Sequence, residues 1–284
     1  MGTETKVGLH YGGTDISMPL IDFAHAAEQR GFESVFVPEH SHIPSAGTAY
    51  PGAGGVPERY YRLWDPLVGL TFVAATTGLV VGTSVALPGG HDPISYAKAV
   101  ATLDVMSRGR FVLGVGFGWN DAEFEDHGFD ARDRRSVVEE KIALMKSLWA
   151  EEESSYDGKH VRLSPSWVWP KPVQRPHPPI LLGVRAGRIG FRRIARWADG
   201  WMPMSPDLVD TYEDDLKQLA VEFERAGRDP ADIQVTARQA LRPDLGAVLD
   251  RYREMNVPRV LVDVPSATED VVLPILDEIA AHLD

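Results

Sequence analysis

Eight times along this chain a short apolar, β-branched run gives way to a segment with helical spacing, and no other pattern in the sequence narrows the fold as far. The runs lie at 6–11, 34–37, 79–86, 110–115, 179–184, 200–204, 233–237 and 259–262. Each is rich in Val, Ile, Leu or Phe and is followed by Gly, Pro, His or Asp. Strands apolar along nearly their whole length fit a sheet buried on both faces. Helical segments follow at 18–30, after Asp65-Pro66, at 93–106, 135–149, 187–198, 207–225, 244–255 and 269–283. Gly31 reads as a C-cap, and Asp65 as an N-cap with Pro66 in the first helical position. Strand–helix pairs repeated in this way predict an α/β fold, a (β/α)8 TIM barrel, as one domain over residues 1–284.

Two stretches exceed a minimal barrel. A Gly- and Pro-rich loop over 41–63 follows the second strand, and a loop of that length reads as a lid or binding loop. Tyr50, Tyr60, Tyr61 and Trp64 either line a pocket there or pack the loop onto the barrel. An insertion over 155–177 precedes the fifth barrel strand, with a hairpin turn at Tyr156-Asp157-Gly158-Lys159.

Composition excludes several chemistries. Without cysteine there are no disulfides, thiolate nucleophiles, iron–sulfur clusters or Cys-bound zinc. A net charge of −12 argues against a general nucleic-acid surface. Neither an apolar signal core nor an apolar run of membrane-spanning length stands in the sequence, so a cytoplasmic protein is the expectation.

Barrel enzymes place their chemistry at the C-terminal ends of the strands. His40, after the second strand, is the acid–base candidate, since imidazole exchanges a proton near neutral pH. Glu39 reads either as the carboxylate that orients His40 or as a solvated loop charge, and His10 as a ligand contact or a space filler. His40-Ser41-His42 with Asp263 has the outline of a metal site, but the middle strands end in Gly116, Gly183 and Met202, so no ligands converge and no metal is expected. Gly114-Val115-Gly116-Phe117-Gly118 lacks the spacing and the acidic partner of a dinucleotide fingerprint, although its amides suit part of a cofactor. Gly183-Val184-Arg185-Ala186-Gly187-Arg188 leads from a strand into a helix and suits a phosphate. Arg185 leads there, with Arg188 beside it, while Arg192, Arg193 and Arg196 read as a solvated face.

These residues resemble the luciferase-like monooxygenase superfamily, in its branch of coenzyme F420-dependent oxidoreductases. The resemblance is carried by Ala26 to His40, Asp65-Pro66-Leu67-Val68, Gly82-Thr83-Ser84-Val85, Ala101 to Arg110, Gly114 to Trp119, Lys171 to Ile180 and Ala198 to Trp201. After about residue 204 only the strand–helix pattern matches. The resemblance implies a deazaflavin or flavin at the strand ends, a non-proline cis peptide at Ser84-Val85 behind the ring, and His40 near the ring's pyrimidine side. It also implies a ribityl phosphate held by Gly116, Phe117 and Gly118 and by Gly183, Val184, Arg185 and Ala186, with His10 and Glu39 completing the cofactor site. Two features depart from the family: Val184-Arg185 where a second Gly followed by Asn or Ser is common, and Trp119 where sugar-phosphate dehydrogenases of the group carry an acid. A sugar-phosphate substrate is therefore not expected.

The function this implies is hydride transfer between F420 and a small organic substrate. The alternatives are an FMN-dependent monooxygenase supplied by a separate reductase, a non-catalytic flavin-binding barrel, and the metal hydrolase weighed above. A homodimer is expected from the family, built on the apolar helices that flank strands two and three.

Overall fold

The computed structural model describes residues 4–46, 48, 50–52, 54–203 and 208–283. Gly47 of the long loop, Met204 of the sixth expected strand and Asp207 of the next helix lie outside the described residues. Eight parallel strands close a barrel: β1 (Lys6–Tyr11), β2 (Ser34–Val37), β3 (Val80–Thr83), β4 (Phe111–Val115), β7 (Ile180–Val184), β8 (Gly200–Pro203), β9 (Gln234–Gln239) and β10 (Arg259–Val264). Around the barrel the order is β1-β10-β9-β8-β7-β4-β3-β2. The remaining strands, β5 (Ser154–Asp157) and β6 (Arg162–Ser166), form the antiparallel hairpin of the insertion. Its turn falls later than the sequence suggests. Tyr156 and Asp157 pair with Leu163 and Arg162, and Gly158 N–H closes the turn on the Val161 carbonyl at 3.0 Å.

The helices are α1 (Leu20–Gln29), α2 (Pro66–Thr76), α3 (Pro93–Met106), α4 (Asp121–Asp126), α5 (Arg134–Ala150), α6 (Arg188–Trp197), α7 (Leu208–Arg225), α8 (Leu245–Glu254) and α9 (Glu269–Ala280). Asp65 accepts from Val68 N–H and Asp92 from Ser95 N–H, each followed by Pro, so both caps settle donors that a helix start leaves unpaired. Along α5, Val138, Ile142, Met145 and Trp149 are buried, the face that the helical spacing selects.

Apolar burial divides in two, as strand alternation requires. Most of it lies between strands and helices. A smaller cluster of Phe36, Val112, Leu181, Met202 and Leu261 takes one residue from each of five strands and fills the barrel's interior, leaving the strand C-termini to carry the cavity.

Two differences from the sequence reading bear on the site. The third strand spans 80–83 rather than 79–86. It breaks at the Ser84-Val85 peptide, which is cis, and Ala86 then rejoins the sheet through a bridge to Val115. β9 and β10 each run two residues beyond their expected ends, which places Arg238 and Asp263 inside strands.

Candidate active site

A cavity of about 1210 Å³ opens at the C-terminal ends of the strands. Single-ligand pockets are commonly about 300–1,000 Å³, so this one has room for a cofactor and a substrate together. His10, Glu39, His40, Ser84, Val85, Gly116, Phe117, Gly118, Gly183 and Arg185 all line it. Two predicted residues do not: Ala186 is exposed, and Val184 packs on the main core, its carbonyl accepting from Trp201 Nε1 at 2.9 Å. Arg188 points away from the cavity and approaches Glu222 at 3.9 Å.

Val85 explains two of the site's glycines. A Cβ on Gly116 would stand 2.5 Å from Val85 Cγ2, and one on Gly183 2.7 Å from Val85 Cγ1. Both glycines therefore make room for the Val85 side chain, a close approach independent of any ligand.

His40 has both ring nitrogens engaged. Trp119 Nε1–H donates to His40 Nε2 at 3.0 Å, so the ring proton sits on Nδ1, 2.7 Å from Glu123 Oε2. The His40 and Glu123 side chains are 5% and 6% exposed. Burial works to raise the Glu123 pKa, but the bond and charge of His40 and two donors from Ser41 outweigh it and hold the carboxyl below its ordinary value. Ser41 Oγ continues the chain to His127 Nε2 at 2.8 Å and His42 Nδ1 at 3.0 Å, and His42 reaches the exposed Asp126. Polar groups thus run unbroken from the cavity wall to the surface. Tyr50, Tyr60 and Trp119 stand edge-on to one another around His40, which puts Tyr50 and Tyr60 of the long loop at the cavity mouth. Tyr61 and Trp64 are exposed.

Glu39 does not orient His40. Its carboxylate accepts from Leu87 N–H at 2.5 Å and bonds His91 Nε2 at 2.6 Å, which fixes the loop after β3. Against the lowering effect of burial, this carboxylate raises the His91 pKa. The carboxylate expected beside His40 exists, but it is Glu123 on α4.

His10 sits in a different setting. Its Nδ1 is 3.3 Å from Asp263 Oδ1, which also accepts from Arg238 Nε at 2.5 Å. Burial foremost, and then the Arg238 charge, push the His10 pKa below its ordinary value despite Asp263. His10 Nε2 and Ser84 Oγ are both buried and have no hydrogen-bond partner. Two orphaned polar atoms on one cavity floor are costly unless a ligand satisfies them. No group of His, Asp and Glu able to hold a metal occurs among the described residues. Among the same residues, no helix is long and apolar enough to cross a membrane.

The family model for luciferase-like monooxygenases matches residues 3–255. The chain belongs to the luciferase-like monooxygenase family. An uncharacterized protein of Mycobacterium tuberculosis is 40% identical over 284 residues, covering 97% of this chain and 99% of that protein. An F420-dependent glucose-6-phosphate dehydrogenase of Kineococcus radiotolerans is 32% identical over 76% of this chain and 61% of its own length. An FMNH2-dependent dimethylsulfone monooxygenase of Pseudomonas putida is 38% identical over 44% of this chain and 36% of its own length. Among solved structures, the monooxygenase RslO1 from Streptomyces bottropensis superposes with a TM-score of 0.79 at 20% identity, covering 98% of both chains. An F420-dependent secondary alcohol dehydrogenase in complex with an F420-acetone adduct superposes with a TM-score of 0.76 at 16% identity, covering 99% of both chains. Luciferase-like oxidoreductases thus include F420-dependent and FMN-dependent members on one barrel.

Proposed function

We propose that this protein is an F420-dependent oxidoreductase that interconverts a hydroxyl and a carbonyl on a small organic substrate. The observation that carries this reading is the pair of orphaned atoms, His10 Nε2 and Ser84 Oγ, beside the apolar Val85 on the cavity floor. A flat ring with a polar edge satisfies both demands. FMN shares that ring. The deazaflavin is favoured by the arginines of the rim, which offer more positive charge than one phosphate requires.

When bound, the deazaflavin exchanges a hydride at its C5. The chain's own residues do the rest. Val85 and Phe117 wall off water, and Arg185 with the Gly116–Gly118 loop holds the phosphate. His40 Nε2 faces the substrate as a proton acceptor, because Glu123 keeps the ring proton on the far nitrogen. A substrate hydroxyl takes the place of the Trp119 indole on Nε2 and gives up its proton there as the hydride leaves its carbon. The chain through Glu123 and Ser41 connects His40 with solvent. The reverse direction returns the proton to a carbonyl oxygen.

Titration of the purified protein with F420 and with FMN, read by tryptophan fluorescence, tests the cofactor. Quenching at low micromolar F420 with none by FMN is expected; FMN binding alone would replace this reading with the reductase-supplied monooxygenase. The same reading seats a second copy of the chain on α2, where Val68 and Phe72 are exposed, and light scattering at the mass of a dimer is the check.

A further inference from the structure

Positive charge gathers at one end of the cavity with too few partners. Arg134 and Arg135 open α5, and Arg185 follows β7. All three line the cavity. Arg135 and Arg185 are exposed and have neither an ion pair nor a hydrogen bond among the described residues. Arg134 has a carboxylate neighbour in Asp121, yet its Nε is buried and unpartnered. Arg193, which reaches over the Phe117 ring and approaches Glu139 at 3.7 Å, is itself repelled by Arg135. The nearby acids are already engaged: Asp130 with Arg132, Asp133 with Lys159, and Glu139 with Arg193 and Arg196. In a chain of 29 basic and 41 acidic residues, unpaired guanidiniums concentrated on one cavity rim are not forced by composition.

We propose that Arg134, Arg135 and Arg185 form a subsite for an extended anionic chain, the acidic tail that continues past the phosphate of the deazaflavin cofactor. The inference rests on the F420 reading and deepens it. One phosphate needs one or two guanidiniums. Three on one rim, with an open donor on the most buried of them, suit a row of carboxylates beyond it. Charge of this kind acts at a distance and weakens with salt, so the tail would also speed cofactor capture.

The test compares three probes by fluorescence titration at low salt: F420 carrying several γ-linked glutamates, the same cofactor without glutamates, and the deazaflavin nucleoside without phosphate or tail. The wild-type protein is expected to bind the tailed form about tenfold more tightly than the trimmed one, the scale of one charge-assisted bond. The preference should fade at high salt. In Arg135→Ala/Arg185→Ala, whose side chains are exposed, that preference should vanish while nucleoside affinity stays unchanged. Equal wild-type affinity for tailed and trimmed cofactor overturns the subsite, as does a preference that survives in the double variant. Free oligo-γ-glutamate should compete with the tailed cofactor. If both bind at once, the arginines serve an acidic substrate and the tail assignment fails. Nucleoside that does not bind while FMN does would sink the cofactor reading itself, a result distinct from each of the others.

Discussion

Two buried histidines face the same cavity from neighbouring strands, each paired with a carboxylate, and they differ in what remains for a ligand to do. His40 is complete: Glu123 holds Nδ1 and the Trp119 indole holds Nε2. His10 is incomplete: Asp263, shared with Arg238, stands beside Nδ1, and Nε2 has no partner. A histidine whose bonds are all made is oriented before any ligand arrives, and a ligand must displace a neighbour to reach it. One left with an orphaned atom costs stability until something binds. On this account His10 belongs to the cofactor side of the cavity and His40 to the substrate side, with Trp119 as the residue that yields.

The largest effect that could break this contrast is catalytic. His40→Asn should lower turnover about 10²–10⁴-fold, the usual contribution of a positioned acid–base group, once a substrate is in hand. His10→Asn should instead weaken cofactor binding and leave the rate at saturating cofactor far less affected. Equal rate losses in the two variants would erase the distinction.

A smaller effect falls on stability. Glu123→Ala removes the acceptor of a buried bond and leaves His40 Nδ1–H and Ser41 unpaired, so urea denaturation should show a loss of roughly 1.5–3 kcal/mol. Asp263→Ala should cost less, because Asp263 is the more exposed carboxylate and its imidazole contact is longer. The reverse order would mean that His10, not His40, is the better anchored ring.

The floor beneath His10 offers a third test. Gly183→Ala puts a Cβ against Val85 and should destabilise by about 1–3 kcal/mol, as overpacking does. Val85→Ala in the same chain should recover most of that loss. If it does not, Gly183 is needed for some reason other than Val85.

The smallest effect is the pH dependence. His10 has a folded pKa below its ordinary 6.5, so the unfolded chain binds more protons as the pH falls through that window, and the native state loses stability there. Wild type minus His10→Asn isolates this component from the other histidines. The difference should be flat above pH 6.5 and grow against the wild type as the pH drops towards about 5. A difference that is flat throughout would mean His10 is not shifted.

Much of this arrangement is written locally in the sequence. Strand–helix alternation and the Asp-Pro caps depend on neighbours in the chain, and they read correctly. Strand ends that depend on the partner strand did not: β3 stops early where Ser84-Val85 breaks the ladder, and β10 runs on because β1 pairs with it as far as Val264. The carboxylate of His40 was sought at Glu39 because adjacency in sequence was the available cue. Across a β-strand's end, adjacent side chains face opposite ways, and the partner came from 83 residues away. Glu123 had a local signal that pointed elsewhere. Asn120-Asp121-Ala122-Glu123 has the spacing of a capping box, which would turn the carboxylate back onto its own helix. Trp119 entered the sequence reading only as the absence of an acid, whereas its indole N–H is what fixes the His40 tautomer.

The central claim, that one histidine waits for the cofactor and the other for the substrate, is tested most directly by histidine-selective nitrogen NMR at pH 7, without ligand and then with F420. In the free protein both His10 and His40 should carry their proton on Nδ1. Adding F420 should move the His10 Nε2 resonance and leave the His40 Nε2 coupling to the Trp119 indole proton in place. A His40 resonance that moves on F420 addition while His10 stays still would contradict the account.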